Sequence, residues 1–212
     1  YTFQNLINDS QNKEAKRYIN KTPSFSGLVF YWGVKKEFKE LETHNILFAK
    51  DYKREFEDLF KNKIIHDDPT IYIYISSKLN KNDAPAGKEN WFVMVNAPHI
   101  QNQNWDSDIK SARKNVVKKI NNFLNTDIEN SIEFEKVLSP VDIQDRTGSY
   151  VGSIYGISSN DKFAAFMRQP NKSKTIKNLY FCGGSAHPGG GIPLVILSGK
   201  IVSDIITKEY HK

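Results

Sequence analysis

Residues 179–200 read LYFCGGSAHPGGGIPLVILSGK, and this stretch decides how the carboxyl-terminal part of the chain folds. Its first four residues, Leu179–Cys182, are apolar or aromatic and predict a buried strand. Apolar positions between Ile192 and Thr207 recur with helical spacing, and Pro193 suits the first turn of a helix. The sequence therefore predicts a strand, a glycine loop and a helix in direct succession.

The loop between these two elements holds five glycines within residues 183–191. Glycine adopts positive φ freely and lets a ligand touch the backbone. A loop that enters a helix leaves N–H groups without partners, and together with the helix dipole they favour an anion or an electron-rich carbonyl oxygen. The spacing predicts a ligand-contacting loop, and a sharp turn between two packed elements is the alternative.

Three named motifs were compared with this loop. The glycine spacing does not fit the dinucleotide fingerprint, and Gly199-Lys200 lacks the residue that completes a P-loop. The serine-hydrolase elbow is a near match, because His187 stands where its last glycine belongs. A serine hydrolase that uses Ser185 therefore remains a less favoured alternative.

Upstream of the loop, short apolar runs predict a sheet. The predicted strands are Phe25–Trp32 (closed by Gly33), His44–Phe48, Thr70–Ser76, Trp91–Ala97 and Ile132–Leu138. The third strand carries apolar residues at successive positions and should be covered on both faces. Helical spacing predicts Gln11–Ile19, Asp51–Phe60, a long helix capped by Asp106, and a short helix at 141–146 after Ser139-Pro140. The fold class is α+β, with a mixed, mostly antiparallel sheet.

Composition limits the class of protein. The chain has 212 residues, of which 39% are hydrophobic, and only one is cysteine, so a sizeable core is expected and a disulfide framework is excluded. No apolar run reaches the roughly 18 residues that would span a bilayer. The chain begins at Tyr1, and we expect it to be a piece of a longer protein.

The net charge of +6 comes from lysines spread singly or in pairs. This pattern is typical of a solvated surface, and we expect no nucleic-acid partner. A non-enzymatic basic module that binds an anion through the glycine loop or its lysines is the competing class. The scattered histidines His44, His66 and His99 lack metal-ligand spacing, so no metal site is expected.

The segment from Leu179 to Lys200, with its HPGGGIP core at 187–193, resembles the carboxyl-terminal signature of the phytoene-type carotenoid desaturases of the flavin amine-oxidoreductase superfamily. The stretches Phe30–Gly33, His44–Phe48, Asp68–Tyr72 and Ala84–Trp91 are similar to the middle region of the same family. Trp32 and Trp91 favour the branch that desaturates hydroxylated carotenoids.

The resemblance implies a non-covalently bound FAD. The family's amino-terminal Rossmann portion would hold the adenosine and pyrophosphate from a part of the protein outside this chain. The residues that would line the FAD are Gly183, Gly184, Ser185, His187, Gly189, Gly190, Gly191, Ile192 and Pro193. Residues 1–170 would form part of the carotenoid-binding domain and 171–212 a segment of a Rossmann-like FAD domain, so the chain alone should bind FAD poorly.

The activity implied is desaturation of an apolar C40 carotenoid by hydride transfer to flavin. Aromatic walls from Phe25–Trp32, Ile71–Ile75, Trp91–Val95 and Phe163–Met167 could hold the substrate, with ordinary core packing as the alternative. No catalytic base can be assigned from spacing. Because carotenoids dissolve in bilayers, the family resemblance implies a cytoplasmic protein bound peripherally to the inner face of the cell membrane.

Single residues carry three further expectations. The imidazole of His187 could touch the flavin, although a hydrogen bond that fixes the loop is favoured. Arg168 could face the cofactor or lipid. Cys182 is expected to be a small buried hydrophobe at the end of its strand.

Overall fold

An open sheet of five strands organises the middle of the chain. A computed structural model describes residues 1–7, 13–19, 21–158 and 168–210. The strands are β1 (Ser26–Val34), β2 (His44–Leu47), β3 (Ile71–Tyr74), β4 (Glu89–Ala97) and β5 (Ile132–Leu138). Their order is β2-β3-β4-β1-β5, and every neighbouring pair is antiparallel. The predicted α+β class is confirmed, and each predicted strand of this region is present.

The inner face of the sheet is the hydrophobic core. Alternate side chains of β1, β3 and β4 are almost fully buried there, namely Leu28, Phe30, Trp32, Ile71, Ile73, Trp91, Val93 and Val95. A long helix spans Trp105–Leu124. It is the third α-helix among the described residues and is called α3. Its apolar stripe of Ala112, Val116, Val117 and Ile120 belongs to the same buried cluster. Alternation in the strands and helical spacing in α3 thus meet in one core.

Two expectations for the sheet were wrong in detail. Gly33 does not close β1 but lies inside it, one residue before the strand ends. The position suits glycine because an added Cβ would lie only 3.2 Å from the Cβ of Phe134 on β5. The register with β5 shifts at this position. The other error concerns β3, whose Ile71 and Ile73 are buried whereas Tyr72 and Tyr74 on the opposite face are only half-buried.

The helices of this region begin at polar caps. The first of them, α2, spans Tyr52–Glu57 and continues into a single π turn over Asp58–Asn62, and its cap is Asp51. The cap of α3 is Asn104, whose side chain accepts the Ser107 N–H, so the prediction of Asp106 was two residues late. Helix α4 spans Pro140–Thr147 and is capped as predicted, because Ser139 Oγ accepts the Asp142 N–H.

The chain divides into two compact units, of which Phe25–Arg146 holds the sheet, and Tyr1–Ser24 together with Thr147–Lys212 forms the other. The described parts of this second unit contain a π turn over Thr2–Leu6, helix α1 (Lys13–Ile19) and helix α5 (Ile192–Tyr210). The predicted carboxyl-terminal helix is confirmed. The functional division into 1–170 and 171–212 is a different partition of the chain and stays a prediction.

The predicted strand Leu179–Cys182 is not a regular strand. Tyr180 forms one isolated antiparallel bridge with Lys172, supported by backbone hydrogen bonds between residues 171–173 and 179–181. A strand needs a continuing ladder, and the described residues supply this segment with a partner for one bridge only. The order of extended segment, glycine loop and helix is nevertheless as predicted.

Candidate functional site

The glycine loop, residues 183–191, connects the extended segment to α5. Three of its glycines have positive φ: +110° at Gly183, +135° at Gly189 and +99° at Gly191. Side-chain-bearing residues rarely adopt these angles, so the path of the loop depends on glycine at these three positions. A fourth, Gly190, is required for space, because an added Cβ would lie 2.6 Å from the ring of Tyr155.

A buried polar pair holds the two ends of the loop together. Ser198 Oγ on α5 donates to the carbonyl of His187 at 2.7 Å and accepts the N–H of Gly183 at 3.2 Å. Asn171 Nδ2 lies 2.8 Å from the same His187 carbonyl and 3.0 Å from Ser198 Oγ. It also lies 3.0 Å from the carbonyl of Phe181. Because buried polar groups of this kind are costly to leave unpaired, the pair fixes the loop backbone strongly.

Arg168 supports the loop from another side. Its Nη1 donates to the carbonyls of Tyr155 at 2.8 Å and Gly184 at 3.1 Å. The side chain is buried, and this burial lowers the pKa of its guanidinium. The side chain also passes so close to Gly189 that an added Cβ there would lie 2.9 Å from its Nε. Arg168 therefore acts on the loop backbone, and its predicted contact with cofactor or lipid stays a prediction.

A buried carboxylate extends this support to α1. Glu14 accepts Gln169 Nε2 at 2.9 Å, Ser173 Oγ at 2.5 Å and Thr175 Oγ1 at 3.2 Å. Burial alone would raise the pKa of Glu14, but these hydrogen bonds outweigh it and the pKa is lowered. Gln169 in turn accepts the His187 N–H through its carbonyl at 2.9 Å.

Several loop amides make no hydrogen bond to this scaffold. Among the residues that the structure describes, the N–H groups of Gly184, Gly189, Gly190 and Gly191 have no hydrogen-bond acceptor. They precede the first turn of α5, where the positive end of the helix dipole lies. An anionic or carbonyl oxygen ligand would satisfy them, which agrees with the chemistry predicted from the glycine spacing.

All nine predicted site residues lie in this loop and at the start of α5. Four of them are held by the polar scaffold, and five are not. Gly183 and His187 use backbone atoms to attach the loop to Ser198 and Asn171. Gly184 has its carbonyl bound by Arg168, and Gly189 is packed against that side chain. The remaining five are Ser185, Gly190, Gly191, Ile192 and Pro193, of which all but Gly190 are exposed. Their contact with FAD stays a prediction.

The side chains of the loop make few contacts of their own. The imidazole of His187 and the hydroxyl of Ser185 have no hydrogen-bond partner within the described ranges. Ser185 also lies seven residues before the start of α5 at Ile192 rather than at its first turn. Nothing in this part of the chain therefore supports a serine nucleophile paired with a base.

Cys182 was predicted to be buried and is exposed, because within the described residues the segment before it forms one isolated bridge and no continuous strand pairing. It lines a cavity of about 440 Å³ within the same unit. Ser185 and Ala186 contribute to that wall from the loop, and aromatic side chains such as Phe3 and Tyr18 contribute from the amino-terminal segment.

A second feature of possible function is the outer face of the sheet, opposite the core. Two rows of side chains cross all five strands there through the observed register. One row is Lys136, Tyr31, Phe92, Tyr74 and His44, and the other is Leu138, Val29, Met94, Tyr72 and Ile46. Ring contacts link them, with centroids 5.5 Å apart for Tyr31 and Phe92 and 6.2 Å apart for Tyr72 and Phe92.

This face divides the predicted aromatic walls into two groups. Phe30, Trp32 and Trp91 belong to the buried core, so the alternative of ordinary packing holds for them. Tyr31 and Phe92 lie on the outer face, with one charged side chain, that of Lys136, at the edge of their row. The fourth predicted wall, Phe163–Met167, lies outside the described residues.

Sequence reasoning missed the residues that hold the loop. Ser198 gave a weak signal, because it is a small polar residue inside an apolar helical run. Asn171 and Glu14 gave none, because their partners are distant in sequence or belong to the backbone.

Neither a metal-ion cluster nor a membrane-spanning helix is found in the described part of the chain. No three His, Cys, Asp or Glu side chains converge as a metal site would require. No helix there combines the length and apolar character needed to cross a bilayer.

Comparison with known proteins gave relatives along the whole chain. A 1-hydroxycarotenoid 3,4-desaturase of a Flavobacterium species is 51% identical over 205 residues, which are 97% of this chain and 42% of that protein. Two proteins named 4,4'-diaponeurosporene oxygenase, from Staphylococcus haemolyticus and Staphylococcus aureus, are 38% and 35% identical over 97% and 100% of the chain. The chain thus spans about two-fifths of the length of these relatives. No protein-family model matches it.

Proposed function

We propose that this chain, which belongs to the family of carotenoid desaturases and diaponeurosporene oxygenases, is the part of an FAD-dependent oxidoreductase that holds a carotenoid and closes over the flavin. The observation that carries the proposal is the 51% identity to a carotenoid desaturase along 97% of the chain. Phytoene or a hydroxylated carotene is the proposed substrate, and the pathway is carotenoid biosynthesis.

The glycine loop fits the cofactor role. Gly184, Gly189, Gly190 and Gly191 present N–H groups that lack acceptors in the described residues, and Asn171 and Ser198 hold the backbone behind them. Donors fixed in this way suit the pyrophosphate or the carbonyl oxygens of a dinucleotide cofactor. When bound, FAD would supply the acceptor for a hydride from the carotenoid. The loop residues would bind and orient it.

The outer sheet face fits the substrate role. A carotenoid has no charge, so its site needs apolar and aromatic walls. Tyr31, Phe92 and Met94 offer such a wall, and their packing would exclude water from the hydrocarbon chain. Lys136 at the row's edge suits a more polar end of the ligand.

The proposal also concerns what lies outside this chain. The first half of α5 exposes Ile192, Leu194, Val195, Ile196 and Leu197. We propose that the Rossmann portion of the full-length protein packs on this helix and completes the FAD site. Because the expected substrate dissolves in bilayers, we place the full-length protein in the cytoplasm, bound to the inner face of the cell membrane.

The cofactor proposal is tested by flavin titration of the full-length protein and of its Gly191→Ala and Gly87→Ala variants. Both glycines have positive φ, +99° and +76°, and both have open space where a Cβ would be added. Alanine is therefore strained but free of a clash at both positions, whereas only Gly191 lies beside the proposed flavin. We expect Gly191→Ala to weaken FAD binding about tenfold or more, and Gly87→Ala to leave it unchanged. Equal affinities in the two variants would contradict the role of the loop.

The substrate proposal is tested by expressing the full-length protein in a host that makes candidate carotenes. Desaturation removes two hydrogens and lengthens the conjugated chain, whereas oxygenation adds the mass of oxygen, so absorbance and mass spectra distinguish the two. We expect Phe92→Ser to raise KM for the carotenoid with FAD content unchanged. Phe123→Ser, an exposed aromatic change on α3, should alter neither. A protein that produces no change in any carotene would contradict the proposed function.

A further inference from the structure

Four aromatic residues form a continuous ladder beside the sheet, at intervals of four residues. We call Phe48, Tyr52, Phe56 and Phe60 the aromatic ladder. Successive ring centroids lie 6.2, 4.9 and 6.1 Å apart. Phe25, which directly precedes β1, packs against the ladder, with its ring centroid 6.4 Å from that of Phe56 and 6.0 Å from that of Phe60. The ladder is thus ordered, yet Phe48 is 64% and Tyr52 51% exposed.

Around the ladder the basic side chains are exposed, whereas of the four acidic ones two are buried, Glu57 is half-buried and Asp51 is exposed. Lys50, Lys53 and Lys61 are exposed, and so is Arg54. Of the acidic residues in the same segment, Glu55 is 1% and Asp58 4% exposed. Glu55 accepts both the N–H and the hydroxyl of Thr70, and Asp58 accepts Asn62 and pairs with His66. Asp51 caps α2, and Glu57 lies 3.5 Å from Lys61. The side that faces solvent is therefore aromatic and net basic.

We propose that the aromatic ladder and its lysines are the surface by which the full-length protein binds an anionic phospholipid bilayer. Exposed contiguous apolar patches on soluble folds mark interaction sites. An aromatic side that enters the interface beside lysines that reach the headgroups is the arrangement of interfacial membrane helices. Here Tyr52, Phe56 and Phe60 line a shallow groove of about 300 Å³ together with Lys53, Glu57 and Lys61. The net basic surface around the groove complements lipid phosphates, which favours a membrane over an apolar protein surface.

The surface also adjoins the proposed substrate wall. Ile46 ends one row of the outer sheet face, and Phe48 follows it two residues later with the same exposed orientation. A carotenoid leaving the bilayer at the ladder would pass from Phe48 to Ile46, two residues earlier in the chain, and then to the cross-strand neighbour Tyr72. This route rests on the proposed function, whereas membrane binding through the ladder can be measured without turnover.

The first experiment is co-sedimentation of the full-length protein with vesicles of phosphatidylcholine, with and without phosphatidylglycerol. We expect binding to the anionic vesicles that weakens as salt is raised. Lys53→Glu with Lys61→Glu should lower that binding about tenfold or more. Phe48→Ser with Tyr52→Ser should lower it about tenfold on both lipids. The controls on α3 are Lys114→Glu with Lys118→Glu, which makes the same change in net charge, and Phe123→Ser, and both should bind as the parent does.

The second experiment locates the contact directly. Phe48→Trp and Phe123→Trp variants are mixed with anionic vesicles that contain brominated acyl chains, which quench tryptophan on close approach. Extra quenching is expected for Phe48→Trp alone. Equal quenching in the two variants, or vesicle binding that the ladder substitutions do not lower, would overturn the proposal. FAD content and carotenoid turnover in detergent, measured on the same variants, report on the proposed function separately.

Discussion

The two units of the chain are stabilised by opposite kinds of burial. The unit formed by Phe25–Arg146 buries an apolar cluster in which strands β1, β3 and β4 meet α3. In the described parts of the other unit, the buried hydrophobic residues are Phe3, Ala15 and Ala186, whereas the buried polar ones include Glu14, Arg168, Asn171 and Ser198. An apolar core tolerates hydrophobic substitutions that keep its total volume, whereas a hydrogen-bonded network is destabilised when any one of its members is removed. Packing therefore stabilises the first unit, whereas hydrogen bonds hold the glycine loop of the second in one conformation.

The largest expected effect tests the apolar unit. Phe30 is fully buried, so Phe30→Ala should destabilise the sheet by about 3–5 kcal/mol through lost transfer energy and a cavity. Hydrogen exchange of the full-length protein checks this, because the amides of β1 and β4 should lose protection. If the amides of α5 lose protection equally, the two units are not independent and the comparison fails.

The next effect tests the polar unit. Asn171→Ala removes the donor to the Phe181 and His187 carbonyls and should cost the loop about 2 kcal/mol, because buried acceptors are left unpaired. Faster hydrogen exchange at residues 183–187 is the expected result, with the sheet unaffected. Asn122→Ala, an exposed change on α3, should leave exchange at the loop as it was. Unchanged protection at the loop in Asn171→Ala would show that the scaffold does not hold it.

A pair of glycine substitutions should differ in sign. Gly190→Ala places a Cβ 2.6 Å from the ring of Tyr155 and should destabilise the loop unit by about 1 kcal/mol, since the ring has to move. Gly199→Ala in α5 meets no atom within 4 Å and should stabilise the helix by about 0.5–1 kcal/mol. Denaturant titrations of the two variants measure both changes. Destabilisation by Gly199→Ala would show that α5 is packed on that side.

The smallest effect concerns pH. The pKa of Glu14 is lower in the folded protein than in the unfolded chain. Its carboxylate therefore stabilises the fold at pH values above its unfolded-state pKa, and this stabilisation is lost as the pH falls through its folded-state pKa. Between about pH 6 and about pH 3 the thermal midpoint of the loop unit should therefore drop more in the parent than in Glu14→Gln. Parallel curves for the two proteins would remove Glu14 from the scaffold.

The sequence analysis predicted the sheet better than the loop's support, for a physical reason. Alternation and helical spacing are local signals, so the strands and α3 could be read from them. Gly33 was taken as a strand end because glycine often interrupts a strand. The residue that leaves no room for a side chain there, Phe134, lies about 100 residues away in sequence. The same holds for Asn171, whose side chain binds carbonyl groups that no residue type reveals.

The candidate site divides in the same way. The glycines of the loop were found because positive φ restricts the residue type. The aromatic walls were found as ranges, but the face that each residue occupies follows from the register, which only the structure gives. The exposure of Cys182 was missed for a related reason, because a strand-like sequence pattern does not indicate whether a neighbouring strand pairs with it.

The position of Ser198 has a practical consequence for anyone who truncates or permutes this protein. A single hydroxyl, one and a half turns into α5, joins residues 183 and 187 at either end of a five-residue bend. A recombinant boundary placed between Gly191 and Ser198 would delete this hydroxyl together with most of the helix, and we expect the bend to open although every loop glycine remains. Expression boundaries, tags and fusion joints therefore belong beyond Tyr210 rather than within the carboxyl-terminal helix.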